Sequence, residues 1–466
     1  MKKIETHHAK VPWSWVAWMV YPWMAMLYFG NCGGAPLTFT IRKLTESPVT
    51  VAFLTSINFA MIFLISAPVA YMSDRIWTRW GRRRPLLILG WTGGATAMFF
   101  VPLATNIWTL AALIVVFQFC SDVGAPYEPL YNEVIPPSQR GRASMMRNIL
   151  NNISNLFFNG VMLAQFDRHY DLGRLETWFH LDGERALYWV GSAAIFLAAV
   201  LLALRVRETP PPGNIRQETF SLVRFFRDVF GRRQQWMVYL LYICPFFVIA
   251  GIGTFVASAY GAFVTLFQTE QLGFTRQQIG WMAGTIGIVN MLLFVPAWGY
   301  LADRLPRLKM FRFALLAPVV VNLGLFLTVR YVTHYSLPYS VMIGFAIVNE
   351  GLMSMIYVLW GPLVYDYLPS NAYGTAHAGF SCVGGLTNFL LINGAGLWVK
   401  GFTDLFGTVG QSRYDYSCVF LWQAASAAVA CFIAFYFARE VKLGRIIAHA
   451  RQEFAEKPEP AADGIA

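Results

Sequence analysis

Twelve apolar stretches, each long enough to cross about 30 Å of hydrocarbon as a helix, decide what this chain can fold into. They run over 14–36, 49–72, 86–104, 107–134, 142–165, 184–204, 236–268, 276–301, 311–333, 338–367, 374–404 and 415–438. Inside a bilayer each backbone N–H and C=O must find a partner within the protein, so such stretches become helices. The 466 residues are 56% hydrophobic and only 13% charged, which excludes an ordinary soluble enzyme of this length. The expected fold class is an all-α membrane protein with twelve transmembrane helices.

An even number of spans returns both termini to one side. The tails and loops on that side hold 27 of the 36 Lys and Arg, which makes it cytoplasmic by the positive-inside rule, and the plasma (inner) membrane is the expected location. The net charge of +11 follows from this orientation, and no nucleic-acid partner is needed to explain it. The first span, flanked by Lys2, Lys3 and Lys10, is too long for the core of a cleaved signal peptide. Six cysteines lie in or at the ends of spans without metal-ligand or disulfide spacing, as small packing residues do. The seven histidines fall in tails, loops or helix ends, and no Walker sequence is present. Neither catalysis, a metal, an organic cofactor nor ATP-driven transport has support.

The segment Ser73 to Pro85, S-D-R-I-W-T-R-W-G-R-R-R-P, sets one acid and five arginines directly after the second apolar stretch. It has an echo: Tyr71, Asp74 and Arg75 reappear as Tyr300, Asp303 and Arg304. Pro129, Leu130, Glu133, Pro136, Gly141 and Ala143 likewise meet Pro362, Leu363, Asp366, Pro369, Gly374 and Ala376, each 233 residues further on. Two repeats of six spans share one orientation, so two six-helix bundles related by a pseudo-two-fold axis along the membrane normal are expected. The boundaries read as 1–207 for the N-terminal bundle, 208–235 for a cytoplasmic linker, 236–440 for the C-terminal bundle and 441–466 for a cytoplasmic tail. The linker opens with Thr209-Pro-Pro-Pro-Gly213, which cannot be helical. Beyond it Phe220, Val223, Phe226 and Phe230, with Arg224 and Arg227 between them, predict a short helix on the inner lipid surface; a docking site for a cytoplasmic partner is the alternative.

These features resemble the major facilitator superfamily. The run Ser73–Pro85 is similar to the loop between the second and third helices of the glycoside-pentoside-hexuronide cation symporters and of the sucrose-transporter-like family. Asp122, Val123, Pro126, Tyr127, Leu130 and Glu133 resemble the fourth helix of the glycoside symporters, and Ala67-Pro68-Val69 is nearer to sucrose transporters. The resemblance implies secondary active transport by alternating access, with a small-molecule substrate, a sugar, near the midplane between the halves and a monomer as the functional unit. There are two departures. Asn58 to Pro68 carries no acid, so a sodium site of the melibiose type is not expected and the proton is the expected coupling ion. Glu128 stands where sucrose-transporter relatives often place Arg, so their mode of sugar recognition does not carry over intact.

Ionisable groups at bilayer depth are costly and therefore candidates for function. Asp122 in the fourth span and Glu350 in the tenth give each half one central acid, and a carboxyl in such surroundings can load and unload a proton as water reaches it. Both are expected to couple protons, with Asp122 also touching substrate; a structural hydrogen bond between helices is the alternative. Glu128 is a further cavity candidate, or the ion-pair partner of an arginine such as Arg147. Glu133 lies three turns beyond Asp122, about 16 Å deeper toward the cytoplasm. With Asp74, Arg75, Arg79, Arg84, Asp303, Arg304 and Asp366 it is expected to form a cytoplasmic gate, the alternative being helix-end solvation and topology. Asn148, Asn151, Asn152, Asn155 and Asn159 form one polar stripe on the fifth span, which must face protein or water. Amides donate and accept as sugar hydroxyls require, so Asn151, Asn155 and Asn159 are expected substrate contacts, joined by Asn388 and by the aromatic faces of Tyr21 and Trp360.

The sequence therefore reads as a proton-coupled importer of a glycoside or disaccharide, sucrose- or maltose-like. The alternatives are an exporter of an amphipathic compound, which would favour an apolar cavity, and a membrane receptor or assembly factor that moves nothing.

Overall fold

Where they are described, the apolar stretches are helical over most of their length. A computed structural model of the chain describes residues 27–73, 83–124, 156–171, 180–205, 222–231, 233–249, 262–368, 373–408 and 412–446, with scattered positions between them. The second span runs through Pro48–Met61, a π turn at Ile62–Ser66 and Ala67–Ser73. The third, fourth and sixth are Arg84–Phe100, Ile107–Val123 and Gly183–Arg205. In the second half the eighth span is Arg276–Val289, a π turn at Asn290–Phe294 and Val295–Arg304; the ninth is Arg307–Leu327 with a π turn at Thr328–Val332. Tyr339–Tyr365, Tyr373–Phe406 and Cys418–Lys442 are the tenth, eleventh and twelfth. Among the described residues eight helices are long and apolar enough to cross a membrane.

Local chemistry fixes several helix starts. Ser47 accepts a hydrogen bond from Thr50 N with Pro48 in the first turn, Asn106 accepts from Thr109 N at 2.8 Å, and Thr275 with Gln278 forms a capping box at the eighth span, each satisfying backbone donors that a helix start leaves orphaned. The first span outruns its predicted end at 36: a helical segment Ala35–Arg42 follows Gly34. Pro36 is tolerated because it sits in that segment's first turn, where its missing N–H costs nothing. The seventh span likewise continues past 268, through a π turn to Gln271.

The repeat seen in sequence is visible in packing. The third span lies against the fourth and sixth as the ninth lies against the tenth and twelfth. The halves meet along two seams, second span on eleventh and fifth on eighth. One core runs across both halves, from Phe39 and Phe166 to Phe267, Ile279 and Val399. A second core, around Tyr239, Phe311, Leu363 and Phe437, lies in the C-terminal half, with Phe63 of the second span packed against it.

The short helix after the linker forms at Leu222–Phe230, but it is apolar on two faces. Phe225 and Val229 are buried against the C-terminal half, and Tyr239 Oη donates to Val229 O at 2.8 Å. Val223 and Phe226 of the predicted stripe remain exposed.

Candidate transport site and gate

A cavity of about 240 Å³ lies between the second span and the C-terminal half. Phe59 and Ile62 close it from the N-terminal side; Tyr242, Phe246, Tyr357, Trp360 and Phe380 form its aromatic wall, with Ser381 and Asn388 as polar positions. The wall is built by stacking. Tyr242 and Phe380 lie nearly parallel with centroids 4.1 Å apart, and Trp360 is 4.8 Å from Tyr242 and donates its indole N–H to Tyr242 O at 2.9 Å. Gly384 leaves room for the wall, since a Cβ there would meet Phe246 at 2.9 Å. Of the expected substrate contacts, Trp360 and Asn388 line this cavity. Tyr21 instead packs, half-buried, against the larger core. Asn151, Asn155 and Glu128 lie outside the described residues, and Asn159 is described only as a helical position.

Asp122 is buried inside the N-terminal half and is not among the cavity-lining residues. Ser66, the last residue of the π turn in the second span, donates to Asp122 Oδ1 at 2.6 Å. Asp122 Oδ2 accepts no hydrogen bond from the described residues. The other half has a related arrangement. Ser354 donates to Glu350 O at 2.8 Å and to Asn290, the first residue of the eighth-span π turn, while Glu350 Oε2 is shielded and accepts nothing from the described residues. Each half thus links its acid-bearing helix by a serine to a π turn, a local widening of the helix found often at functional sites. Ser66 and Ser354 escaped the sequence reading because a π turn shifts the helical register without a residue signature.

The expected cytoplasmic gate is only partly visible. Asp74, Arg75, Arg79 and Glu133 lie outside the described residues, and Asp303 is described only as a helical position. Arg84 donates to Ala203 O, tying the third span to the sixth. Arg304 lies 4.0 Å over the Tyr300 ring, and Asp366 pairs with Arg307 at 3.3 Å. These contacts stay within one half.

Among the described residues three ion pairs cross between the halves at the opposite end. Arg42 and Glu270 form a two-pronged pair at 2.5 and 2.8 Å, the geometry that best suits guanidinium and carboxylate. Arg276 pairs with Asp167, its guanidinium 4.5 Å from the Phe39 ring centroid and 5.0 Å from that of Phe166. Arg413 pairs with the exposed Glu46. Here, where the larger core also runs across both halves, the bundles are latched together. A signal for the latch existed in the sequence: the loops at this end carry few basic residues, and several of those stand near acids.

Two helical bundles that repeat one packing plan, meet along two seams, are latched at one end and enclose a cavity between them define a membrane transporter. The chain belongs to the Major Facilitator Superfamily, whose family model matches residues 14–391. It is similar to the anhydromuropeptide permease of Escherichia coli K12, 25% identical over 296 residues, covering 60% of this chain and 55% of that protein; the chain thus spans about half the length of that curated relative. Among solved structures it is similar to a bacterial homolog of the human lysosomal transporter Spinster in an inward-facing, occupied conformation, with TM-score 0.65, 15% identity and 92% and 96% of the two chains covered. A D-xylose-proton symporter gives TM-score 0.64 at 14% identity, covering 91% and 98%.

Proposed function

We propose that this transporter is a proton-coupled importer of an uncharged glycoside or disaccharide. The observation that carries the reading is the cavity wall: aromatic faces with hydroxyl and amide positions and no charged side chain among the described lining residues. Aromatic faces cover the C–H face of a sugar ring while a few polar groups fix its orientation. An anionic substrate would need a cation there to offset its desolvation. Asp122 is the coupling acid, acting on the cavity through Ser66 and the second-span π turn, with Glu350 as its counterpart. Asn151, Asn155 and Asn159 complete the sugar site from the fifth span. Both termini and the arginine loop face the cytoplasm at the inner membrane, so the latched end faces outward and the conformation is closed to the outside.

A second reading is a glycoside carrying a peptide, favoured by the similarity to an anhydromuropeptide permease. One experiment separates them. Purified protein in proteoliposomes is offered sucrose, maltose, a neutral N-acetylglucosamine disaccharide and an anionic muropeptide under an imposed pH gradient, beside Asp122→Asn. Accumulation of a neutral sugar with proton uptake supports the first reading; accumulation of the muropeptide alone replaces it with the second. If none accumulates, the import reading falls and export of an amphipathic compound or a receptor role takes its place.

A further inference from the structure

The outer ends of four helices in the C-terminal half converge on one buried carboxylate. Asp415, in the loop before the twelfth span, has no exposed surface. It accepts hydrogen bonds from Arg330 at the end of the ninth span at 2.6 Å, from Gln271 at the end of the seventh at 3.0 Å, and from Tyr335 Oη at 3.1 Å. Ser417, next to the start of the twelfth span, donates to it from both backbone N (3.0 Å) and Oγ (2.6 Å). The backbone N–H of Asp415 in turn donates to Thr403 of the eleventh span at 3.0 Å. Tyr335 reaches the carboxylate from a turn in which His334 and Tyr335 adopt φ of 46° and 65°, a left-handed conformation that such side chains rarely take and that only surrounding contacts maintain.

This cluster makes no contact of its own with the other half in the hydrogen bonds described above, yet both of its arms end in the latch. Gln271 follows Glu270, which grips Arg42. Arg413, which grips Glu46, stands two residues before Asp415 in the same loop. Tyr416, the next residue, is buried with its hydroxyl unpaired among the described residues. Burial first, and the nearby Glu270 second, hold that hydroxyl's pKa up, with Arg42 opposing, which places it in the field of the Arg42–Glu270 pair. Successive residues of one loop therefore serve the clamp and the latch in turn.

The geometry points to Asp415 as the positioning residue of this gate: by tying the ends of the seventh, ninth, eleventh and twelfth spans it sets the register in which Glu270 and Arg413 meet the N-terminal half. A buried acid shared by many donors has a single arrangement that satisfies them all, so it moves the C-terminal half's gate residues as one body. Without it each gate residue would be carried by a separate loop.

The test needs no substrate. Spin labels on cysteines introduced at Thr105 and Leu405, exposed positions of the two halves at this end, report the separation across the gate by pulsed electron resonance in lipid nanodiscs. Cys120, the one native cysteine that is not buried, is replaced by alanine. The latch variant Glu270→Gln/Arg413→Gln is expected to raise the long-distance population several-fold over the parent. Asp415→Asn is expected to raise it to a similar extent, and the triple variant to show no further increase. A purely structural Asp415 would lower thermal stability while leaving the distances unchanged, or would add its effect to that of the latch variant; either result overturns the proposal, as does a latch variant that leaves the distances where they were. If Asp415→Asn does not fold, Gln271→Ala and Tyr335→Phe, which each remove one donor to the same carboxylate, decide the matter. Each is expected to shift the distribution in the same direction by less, and unchanged distances in both overturn it.

Discussion

Gly385 of the eleventh span sits against backbone of the facing half, where an added methyl group has no room. A Cβ there would lie 2.8 Å from Phe59 O and 3.0 Å from Phe63 N, backbone atoms of the facing half that cannot swing aside as a side chain does. Gly385→Ala is expected to destabilise by about 1–3 kcal/mol through overpacking and to impair transport with it. Gly401→Ala, with nothing within 4 Å of the added carbon, should be neutral or gain up to about 1 kcal/mol of helix propensity. Thermal denaturation of the two variants in the same lipid checks this, and equal shifts would refute it. Asp122→Asn keeps the shape and the acceptor for Ser66 but cannot exchange a proton. Accumulation driven by a pH gradient is expected to fall to simple equilibration while exchange between equal pools continues; equal accumulation by mutant and wild type would end the coupling role. Asp122 was legible in the sequence because a lone acid in an apolar helix is costly. Its partner Ser66 was not, since a serine in a span is unremarkable until the π turn brings it to the carboxylate.

At the scale of elements, the first span and the start of the eighth carry the latch. Arg276 begins the eighth span and presents its guanidinium to Phe39 and Phe166. The planar cation stacks on rings in a way that a lysine ammonium does not, and such contacts contribute from about 0.5 to about 2 kcal/mol as burial increases. Arg276→Lys keeps the charge and is expected to shift the halves toward opening at this end by up to roughly tenfold. By contrast Glu46→Gln removes a pair exposed on both sides, where water and salt screen the attraction, so it should open the gate much less. Labelling rates of a cysteine at Thr38, buried in the first span, by an impermeant thiol reagent rank the two variants; a larger effect from Glu46→Gln would show that the rings do not hold Arg276. The sequence drew attention to the other end because arginines cluster there. For the latch the sequence offered only a few basic residues near acids; its strength lies in which charges meet across the seam, and spacing along one chain does not report that.

For the whole molecule, hydrophobic length and the internal repeat sufficed to specify twelve helices in two bundles, because a bilayer admits so few alternatives. The conformation was not legible, since two arrangements of the same helices differ by only a few kcal/mol and both bury the same apolar stretches. The structure shows one arrangement, with a core continuous across the halves at the latched end and a cavity on the far side of it. Alternating access then requires the halves to part at the latch once in every cycle. Cysteines at Glu46 and Arg413, whose side chains meet across the seam and are both well exposed, can be bridged by a short bifunctional thiol reagent. Bridging is expected to stop transport almost completely in the double variant, whereas either single variant given the same reagent keeps its rate. Binding from the unlatched side should survive, because the wall of Tyr242, Trp360 and Phe380 is formed within one half. Flux and binding measured on the same bridged sample therefore distinguish a locked gate from a damaged site. A bridged protein that still transports at the wild-type rate would mean that the halves do not separate there and that the latch is a fixed hinge.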